Sequence, residues 1–181
     1  MRSTGDTLVS QYTYPSANAG TIYGQMVAKN MLSPVIQQVN RLNAKVIQVT
    51  KINYSNDASI TTGIIQPVNV QTAYSETAPL KTDITYDKYD RRGNVLQCTL
   101  GNGSRKSFLW SYNYYFPVAE IENAGYTDVA AALSTDGMTV DNLARLPLGD
   151  DTKVNLIRNN PSLSGAHVST FSYNPFVGLT S

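Results

Sequence analysis

The sequence predicts an α+β fold that is predominantly antiparallel β-sheet with hairpins, with one N-terminal helix and a small helical insertion near residues 127–160. The first reason is composition, since 12 Tyr stand against 4 Phe, and Tyr, Thr and Val suit half-buried strands. The second is the alternation of apolar and polar residues from Leu80 to Asp87. The third is a series of short helical patterns between Thr127 and Arg158.

The N-terminal part of the chain predicts a strand followed by a helix. Thr7 to Tyr14 has the composition of a strand and stops at the turn-rich segment Pro15 to Gly20. From Thr21 onward, apolar residues recur every three to five positions, which predicts a short amphipathic helix that ends before Ser33. The residues of this pattern are Ile22, Tyr23, Met26, Val27 and Met31.

A hairpin and a further strand are predicted next. Val35 to Leu42 and Lys45 to Tyr54 form the two strands of the hairpin, and Asn43 takes a left-handed conformation in the turn between them. Tyr54 to Ser59 is predicted as a loop, and Val68 to Tyr74 as the strand that follows it.

The segment from Leu80 to Ile121 carries the clearest strand signals. Along its first strand the sequence predicts one mostly apolar face and one polar face; the apolar face holds Leu80, Thr82, Ile84 and Tyr86. A hairpin with two candidate registers follows. A two-residue turn at Asn102-Gly103 gives one register, and a three-residue loop that adds Gly101 gives the other and sets Cys98 opposite Lys106. The three-residue loop is preferred, and it requires positive φ at Gly103.

Three short helices and a returning strand complete the predicted fold. The helices are Thr127 to Leu133 with a Thr127 cap, Val140 to Leu146 capped by Thr139, and Val154 to Arg158 with Asp150 or Asp151 at its start. The returning strand is Val168 to Tyr173. The predicted organisation is one β-rich module over residues 1–181, with a core at 80–124, a helical insertion at 125–165 and a returning strand at 166–181.

Charge and cysteine content exclude several classes of partner. With 14 basic and 13 acidic residues spread along the chain, nothing favours nucleic acid or an anionic membrane surface. Cys98 is the only cysteine, so no internal disulfide forms, and its place between Leu96 and Leu100 predicts a small buried apolar side chain. No apolar run approaches the length of a membrane span, and residues 1–5 lack the apolar centre of a signal peptide.

Candidate catalytic and metal-binding residues are few. His167 is the only histidine, and a structural or solvent-facing role is predicted for it. Glu120 and Glu122 share one face of a strand and could act as a carboxylate pair, but a solvated sheet edge is the preferred interpretation. Asp87, Asp90 and Asn94 could collect oxygen ligands for calcium, but turn capping by their side chains is preferred. The sequence therefore predicts no catalytic residue, metal site or cofactor.

One binding hypothesis rests on aromatic residues. Trp110, Tyr112 and Tyr114 would share one face if they lie along a single strand, with Tyr115 on the other face. Flat rings in a row can stack on sugars or bases, so a carbohydrate-binding strand is one interpretation. A packed aromatic core strand is the preferred alternative, and exposure of Trp110 beside Tyr112 would reverse that preference.

An ordered series of motifs gives the chain a family resemblance. The motifs are Tyr86-Asp87, Gly93-Asn94-Val95, Asn102-Gly103, Leu109-Trp110-Ser111-Tyr112, Pro117 to Ala124 and the tail Phe171 to Ser181. In this order they resemble the YD-repeat, or Rhs-repeat, proteins, and most of all the long Rhs-related surface proteins of Bacteroidetes. Ser111 stands where that pattern carries Gly.

The resemblance implies a fragment of a long extracellular or cell-surface polypeptide in which β-hairpin repeats build a scaffold. It implies a non-enzymatic structural module whose partners are neighbouring repeats of the same parent chain. The lack of a long apolar run predicts no membrane insertion of this segment. Carbohydrate or glycan binding is the alternative function. Exposed strand edges would also favour a homodimer formed by strand-edge pairing.

Overall fold

The computed structural model describes residues 5–17, 20–174 and 178–179, and within these ranges nine strands form one sheet whose order follows the chain. Those strands are β1 Leu8–Thr13, β2 Gln37–Leu42, β3 Lys45–Ser55, β4 Gln66–Ala73, β5 Lys81–Tyr89, β6 Val95–Leu100, β7 Arg105–Ser111, β8 Phe116–Glu122 and β9 His167–Thr170. A separate antiparallel pair consists of β10 Tyr173–Asn174 and β11 Gly178–Leu179. The predicted α+β fold dominated by antiparallel sheet is confirmed.

The helices of the described ranges are short. They are α1 Thr21–Ala28, α2 Ala58–Thr61, α3 Tyr126–Ser134, α4 Val140–Arg145 and α5 Asp151–Arg158, with single 3-10 turns at Pro15–Ala17 and Pro161–Leu163. The chain groups into two compact units, Met1–Thr85 and Tyr86–Ser181, which are described separately below. The prediction that residues 1–181 form one module stays a prediction.

In the first unit, side-chain amides bond across the strands of the sheet. Asn40 Oδ1 accepts from Ser10 Oγ on β1 at 2.8 Å, and Asn40 Nδ2 donates to Gln48 Oε1 on β3 at 3.1 Å. Asn53 Nδ2 likewise donates to Asn69 Oδ1 on the neighbouring strand at 2.6 Å. These contacts account for part of the amide-rich composition, because cross-strand pairs are the unit of sheet stabilisation.

Helix α1 is shorter than predicted. It ends at Ala28 rather than just before Ser33, because Asn30 takes a left-handed conformation with φ of 59°. The Met31 N–H then donates to the Met26 carbonyl at 2.8 Å and the Asn30 N–H to the Val27 carbonyl at 2.9 Å, which is a Schellman motif. The predicted 54–59 loop is also partly wrong, since β3 runs to Ser55 and the Asp57 side chain caps α2 by accepting from the Ser59 N–H.

Both predicted hairpin turns are found. In the β2–β3 turn, Asn43 has φ of 50° as predicted, and Ala44 has φ of 68°, so both central residues are left-handed, as a type I′ turn requires. In the β6–β7 hairpin, Cys98 faces Lys106 and Gly103 has φ of 87°. The preferred three-residue loop is therefore confirmed.

Strand β5 does not show the predicted division into an apolar and a polar face. Residues 81–83 are exposed, residues 84–88 are partly buried and Tyr89 is buried, without alternation. The reason is that polar residues of this strand make their own contacts; Asp87, for example, accepts hydrogen bonds from Thr99 and Gln97 on β6.

The hydrophobic core of the second unit lies between its sheet and helices α3, α4 and α5. The side chains that are at most 1% exposed include Leu109 and Ile121 on strands and Leu133, Leu143 and Ile157 on the helices. Each of these leucines and isoleucines contributes roughly 1.5–3 kcal/mol through burial.

Helix caps match the sequence in two of three cases. Thr139 caps α4 by accepting from the Asn142 N–H at 3.1 Å, and Asp150, the first of the two candidates, caps α5 by accepting from the Lys153 N–H at 3.1 Å. The Thr127 cap is wrong, because α3 starts at Tyr126, and Asp128 Oδ2 accepts from the Gly125 N–H at 3.2 Å instead.

The C-terminal part departs from the predicted single strand. His167–Thr170 pairs with β8, and a second strand starts at Tyr173. Residues 1–4, part of the break at 15–20 (positions 18 and 19) and the tail positions 175–177 and 180–181 of the family motif lie outside the described residues. None of the helices that the structure describes combines the length and hydrophobicity needed to cross a membrane.

Candidate functional site

The Tyr-Asp step places a carboxylate in a hydrogen-bonded network of the second unit. Asp87 Oδ2 accepts from Thr99 Oγ1 at 2.7 Å and from Gln97 Nε2 at 2.9 Å, both on β6. The carbonyl oxygen of the Gln97 side chain accepts from the Tyr126 N–H at 2.6 Å, at the first turn of α3. The prediction that Asp87 caps a turn is therefore wrong. Asp87 instead bonds to two side chains of β6, and one of them, Gln97, connects it to the first turn of α3.

The turn between β5 and β6 is organised by Asp90. Its Oδ1 accepts from the N–H groups of Arg92 at 2.7 Å and Asn94 at 2.9 Å, and its Oδ2 accepts from Asn94 Nδ2 at 2.9 Å. Asp90 is 8% exposed, and Gly93 in the same turn has φ of 86°. Turn capping is thus confirmed for Asp90 and Asn94. Across the described ranges there is no group of three or more His, Cys, Asp or Glu placed to hold a metal ion.

Asn94 also links this turn to the aromatic segment behind it. Besides its bond to Asp90, Asn94 Nδ2 donates to the Tyr114 carbonyl at 2.9 Å. No sequence pattern signalled this contact, because the two residues lie 20 positions apart and Asn at a turn is explained by the turn alone.

The aromatic residues singled out in the sequence do not lie on one strand. Strand β7 ends at Ser111, and Tyr112, Asn113 and Tyr114 have φ of 54°, 57° and 72°. The predicted shared face of Trp110, Tyr112 and Tyr114 is therefore wrong. Three consecutive left-handed residues that are not glycine are costly, roughly 1–2 kcal/mol each, so the surrounding structure must fix them.

Each of the three aromatic side chains has its own contacts. Trp110 is half-buried and its Nε1 donates to the Val95 carbonyl at 2.9 Å. The Tyr112 hydroxyl donates to the Tyr173 carbonyl at 3.1 Å, and the Tyr112 ring leaves no room for a Cβ at Gly149, which would lie 2.6 Å from the hydroxyl oxygen. Tyr114 is buried, whereas Tyr115 is 72% exposed. The packed interpretation is supported for Trp110 and Tyr114.

The left-handed turn is held from helix α4. The N–H groups of Asn113 and Tyr114 donate to the carbonyls of Leu146 and Ala144 at 2.9 and 2.7 Å. The Tyr114 hydroxyl donates to Asp141 Oδ1 at 2.5 Å. These bonds fix the backbone on the α4 side.

Charged side chains surround the Tyr114–Asp141 contact. Arg145 forms an ion pair with Asp141 at 2.6 Å, and the Arg91 guanidinium lies 4.9 Å from the centre of the Tyr114 ring. The hydrogen bond from Tyr114, followed by the arginine contacts, lowers the pKa of Asp141. Burial, followed by the hydrogen bond to Asp141, raises the pKa of Tyr114, so the pair stays phenol and carboxylate near neutral pH.

The two carboxylates on β8 are bridged by one lysine. Lys106 Nζ lies 2.6 Å from Glu120 Oε1 and 2.7 Å from Glu122 Oε1. These hydrogen bonds raise the pKa of Lys106 and lower the pKa of Glu122. The prediction that Glu120 and Glu122 lie on a sheet edge is wrong, because their strand, β8, pairs with both β7 and β9.

The remaining reactive side chains match their sequence predictions. Cys98 is 4% exposed, and burial raises the pKa of its thiol, so the nucleophilic thiolate is disfavoured. His167 is exposed at the start of β9.

A shallow cavity of about 240 Å³ opens beside the left-handed turn and is lined by Arg92, Asn94, Asn113, Tyr114 and Tyr115. Two of its lining residues already make hydrogen bonds within the protein: Asn94 donates to the Tyr114 carbonyl, and the Tyr114 hydroxyl donates to Asp141. Comparison of the chain with protein-family models, curated proteins and solved structures finds no match.

Proposed function

We propose that this chain is a non-enzymatic structural module of a cell-surface or secreted protein of the YD-repeat kind, of the type found in Bacteroidetes. The observation that carries the proposal is the position of Asp87, Asp90 and Asn94. All three belong to the segment that resembles the family, and the contacts of all three hold the fold together.

The other charged clusters support the same function. Asp141 is paired with Arg145 and Tyr114, and Glu120 and Glu122 share Lys106. Among the described side chains, no buried polar N or O atom lacks a hydrogen-bond partner. A reactive centre ordinarily retains an uncompensated group aimed at its substrate, whereas a scaffold satisfies its buried polar groups internally.

The proposed partners are neighbouring repeats of the same parent chain, and the proposed setting is outside the cell or on its surface. An antibody raised against the chain should label intact cells of the source organism as strongly as permeabilised cells. Labelling that requires permeabilisation would contradict the proposed location.

The functional proposal is tested by a ligand screen with two matched variants. Thermal unfolding is followed with a panel of glycans, nucleotides and divalent metal ions for wild type, Tyr115→Ala at the cavity and Tyr74→Ala. Tyr74, on the first unit, is a suitable control because it is 74% exposed, against 72% for Tyr115. A scaffold predicts that no ligand raises the melting temperature by more than about 2 °C in any of the three proteins.

Carbohydrate binding would appear in that screen as a specific pattern. A glycan that stabilises wild type and Tyr74→Ala but not Tyr115→Ala would contradict the structural proposal and assign the cavity a ligand. The predicted strand face of Trp110, Tyr112 and Tyr114 no longer supports such binding, because the three side chains do not share it.

A further inference from the structure

Among the described residues, strand β1 lies at an edge of the sheet. It is the first strand of the sheet, and among the described residues the only strand that pairs with it is β2. Five of its six residues are exposed, including Leu8 at 66% and Tyr12 at 47%. Leu8–Thr13 contains no charge and no proline, and its pairing with β2 has no bulge. Within Leu8–Thr13, three of the features that normally prevent edge-to-edge pairing, namely a charge, a proline and a bulge, are therefore absent.

The hydrogen bonds to β2 determine which backbone groups point outward. At the two ends of the strand, the Thr7 carbonyl accepts from the Asn43 N–H and the Thr13 carbonyl accepts from the Ile36 N–H, both at 2.9 Å. In an antiparallel strand, successive residues direct their backbone groups to opposite sides. The backbone N–H and C=O groups of the odd-numbered residues therefore point toward β2. Those of Leu8, Ser10 and Tyr12 point away from the sheet.

We infer that β1 pairs with β1 of a second copy of this chain, antiparallel and two-fold symmetric, with Ser10 on the axis. This inference does not depend on the proposed structural function.

The position of the axis follows from counting hydrogen-bonded pairs. With Ser10 on the axis, Ser10 faces its own copy and Leu8 faces the partner's Tyr12 at both ends, which uses all three outward-facing residues in both strands. Shifting the axis to Val9 or Gln11 leaves one outward-facing residue of each strand without a partner inside the strand. The register with Ser10 on the axis is therefore the one in which all three outward-facing residues of each strand have a hydrogen-bonding partner.

A second copy is favoured as the occupant because the edge is its own complement in this register. Leu8, Ser10 and Tyr12 project to one face, so each exposed Leu8 side chain packs against the partner's Tyr12, a favourable aliphatic–aromatic cross-strand pair. The nearest acidic residue, Asp6, precedes the strand and would lie far from its own copy in an antiparallel pair, so no like charges meet.

The register is tested by cysteine cross-linking of the full chain. Ser10→Cys should form a covalent dimer under mild oxidation, because facing residues in a hydrogen-bonded pair have Cα atoms about 5.5 Å apart, within disulfide range. Gln11→Cys is the matched control, since Gln11 faces the partner's Val9 and two such cysteines are offset by about 7 Å along the strand. Buried Cys98 does not compete.

Association itself is tested by sedimentation of the wild type, Ser10→Lys and Gln11→Lys over a concentration series. Wild type should show a concentration-dependent dimer. Ser10→Lys should weaken association at least about tenfold because two ammonium groups meet on the axis, while Gln11→Lys changes it less than about threefold.

Circular dichroism establishes that each variant is folded like the wild type. A wild type that stays monomeric across the series, together with no disulfide dimer of Ser10→Cys, would overturn the inference. Cross-linking of Gln11→Cys as readily as Ser10→Cys would overturn the register.

Discussion

The roles of single residues were predicted well from the sequence where a side chain or a glycine acts on the backbone next to it. Thr139, Asp150 and Gly103 were predicted correctly because a helix cap or a left-handed turn depends on positions at most three residues apart. The Thr127 cap was wrong because α3 starts one residue earlier, at Tyr126, which places Thr127 inside the helix. Contacts such as Asn94 with Tyr114 could not be predicted, since the fold alone brings them together.

At Cys98 the structure predicts an inert thiol. The side chain is 4% exposed and burial raises its pKa, so a thiol reagent such as dithionitrobenzoate should not react with the native protein at pH 8. In urea, one equivalent should react at a rate that follows unfolding. The absorbance of the released product measures this, and rapid labelling without denaturant would contradict the burial of Cys98.

The glycines illustrate how one substitution has opposite effects at two places. Gly103→Ala should lower stability by about 1 kcal/mol or more because φ is 87° there, although nothing lies within 4 Å of the added Cβ. Gly24→Ala in α1, which also meets nothing within 4 Å, should raise it by about 0.5–1 kcal/mol. Urea unfolding compares both with wild type, and equal signs would refute the assigned conformations.

Among the elements, the left-handed turn at 112–114 is the wrong prediction that bears most on the candidate site. A run of aromatic residues has high strand propensity, and propensity predicted that Trp110, Tyr112 and Tyr114 would continue β7. Tertiary contacts overrode it, because α4 supplies the Ala144 carbonyl and the Asp141 carboxylate to the turn, and Leu146, directly after α4, supplies a second carbonyl. The two predicted hairpin turns depend on local residues and were found, whereas this turn depends on contacts distant in sequence and was not predicted.

The contact between this turn and α4 predicts a dependence on pH. The folded pKa of Asp141 is lowered, first by the Tyr114 hydrogen bond, so the stabilisation is present above the unfolded value of about 3.9 and is lost as pH falls through the folded pKa. Asp141→Asn should therefore melt at a lower temperature than wild type at pH 7, and the difference should shrink below about pH 4.

The control for this experiment is Asp136→Asn, because Asp136 is exposed on the same unit and its carboxylate makes no hydrogen bond or ion pair in the described contacts. Its melting temperature should follow that of wild type at every pH. A difference between wild type and Asp141→Asn that persists undiminished at pH 2.5 would show that the carboxylate charge is not what holds the turn.

For the whole molecule, the class of fold could be predicted from composition and periodicity, because strand and turn preferences act throughout the sheet. The division into two compact units was not predicted, since no linker-like composition marks residues 85–86. The sequence drew attention to Asp87, Asp90 and Asn94 as turn-capping residues, but it did not predict which residues they contact, because the network joins residues up to 29 positions apart.

The account depends most on the claim that the acidic and amide side chains of the Tyr-Asp segment stabilise the fold. A double-mutant cycle tests it directly, with Asp87→Ala, Thr99→Val and the double variant unfolded in urea and followed by Trp110 fluorescence. The predicted coupling between the two side chains is about 1–2 kcal/mol. Either single substitution removes the hydrogen bond from Thr99 to the Asp87 carboxylate, so the double variant loses that bond only once. Additive effects, with coupling below about 0.3 kcal/mol, would contradict the claim.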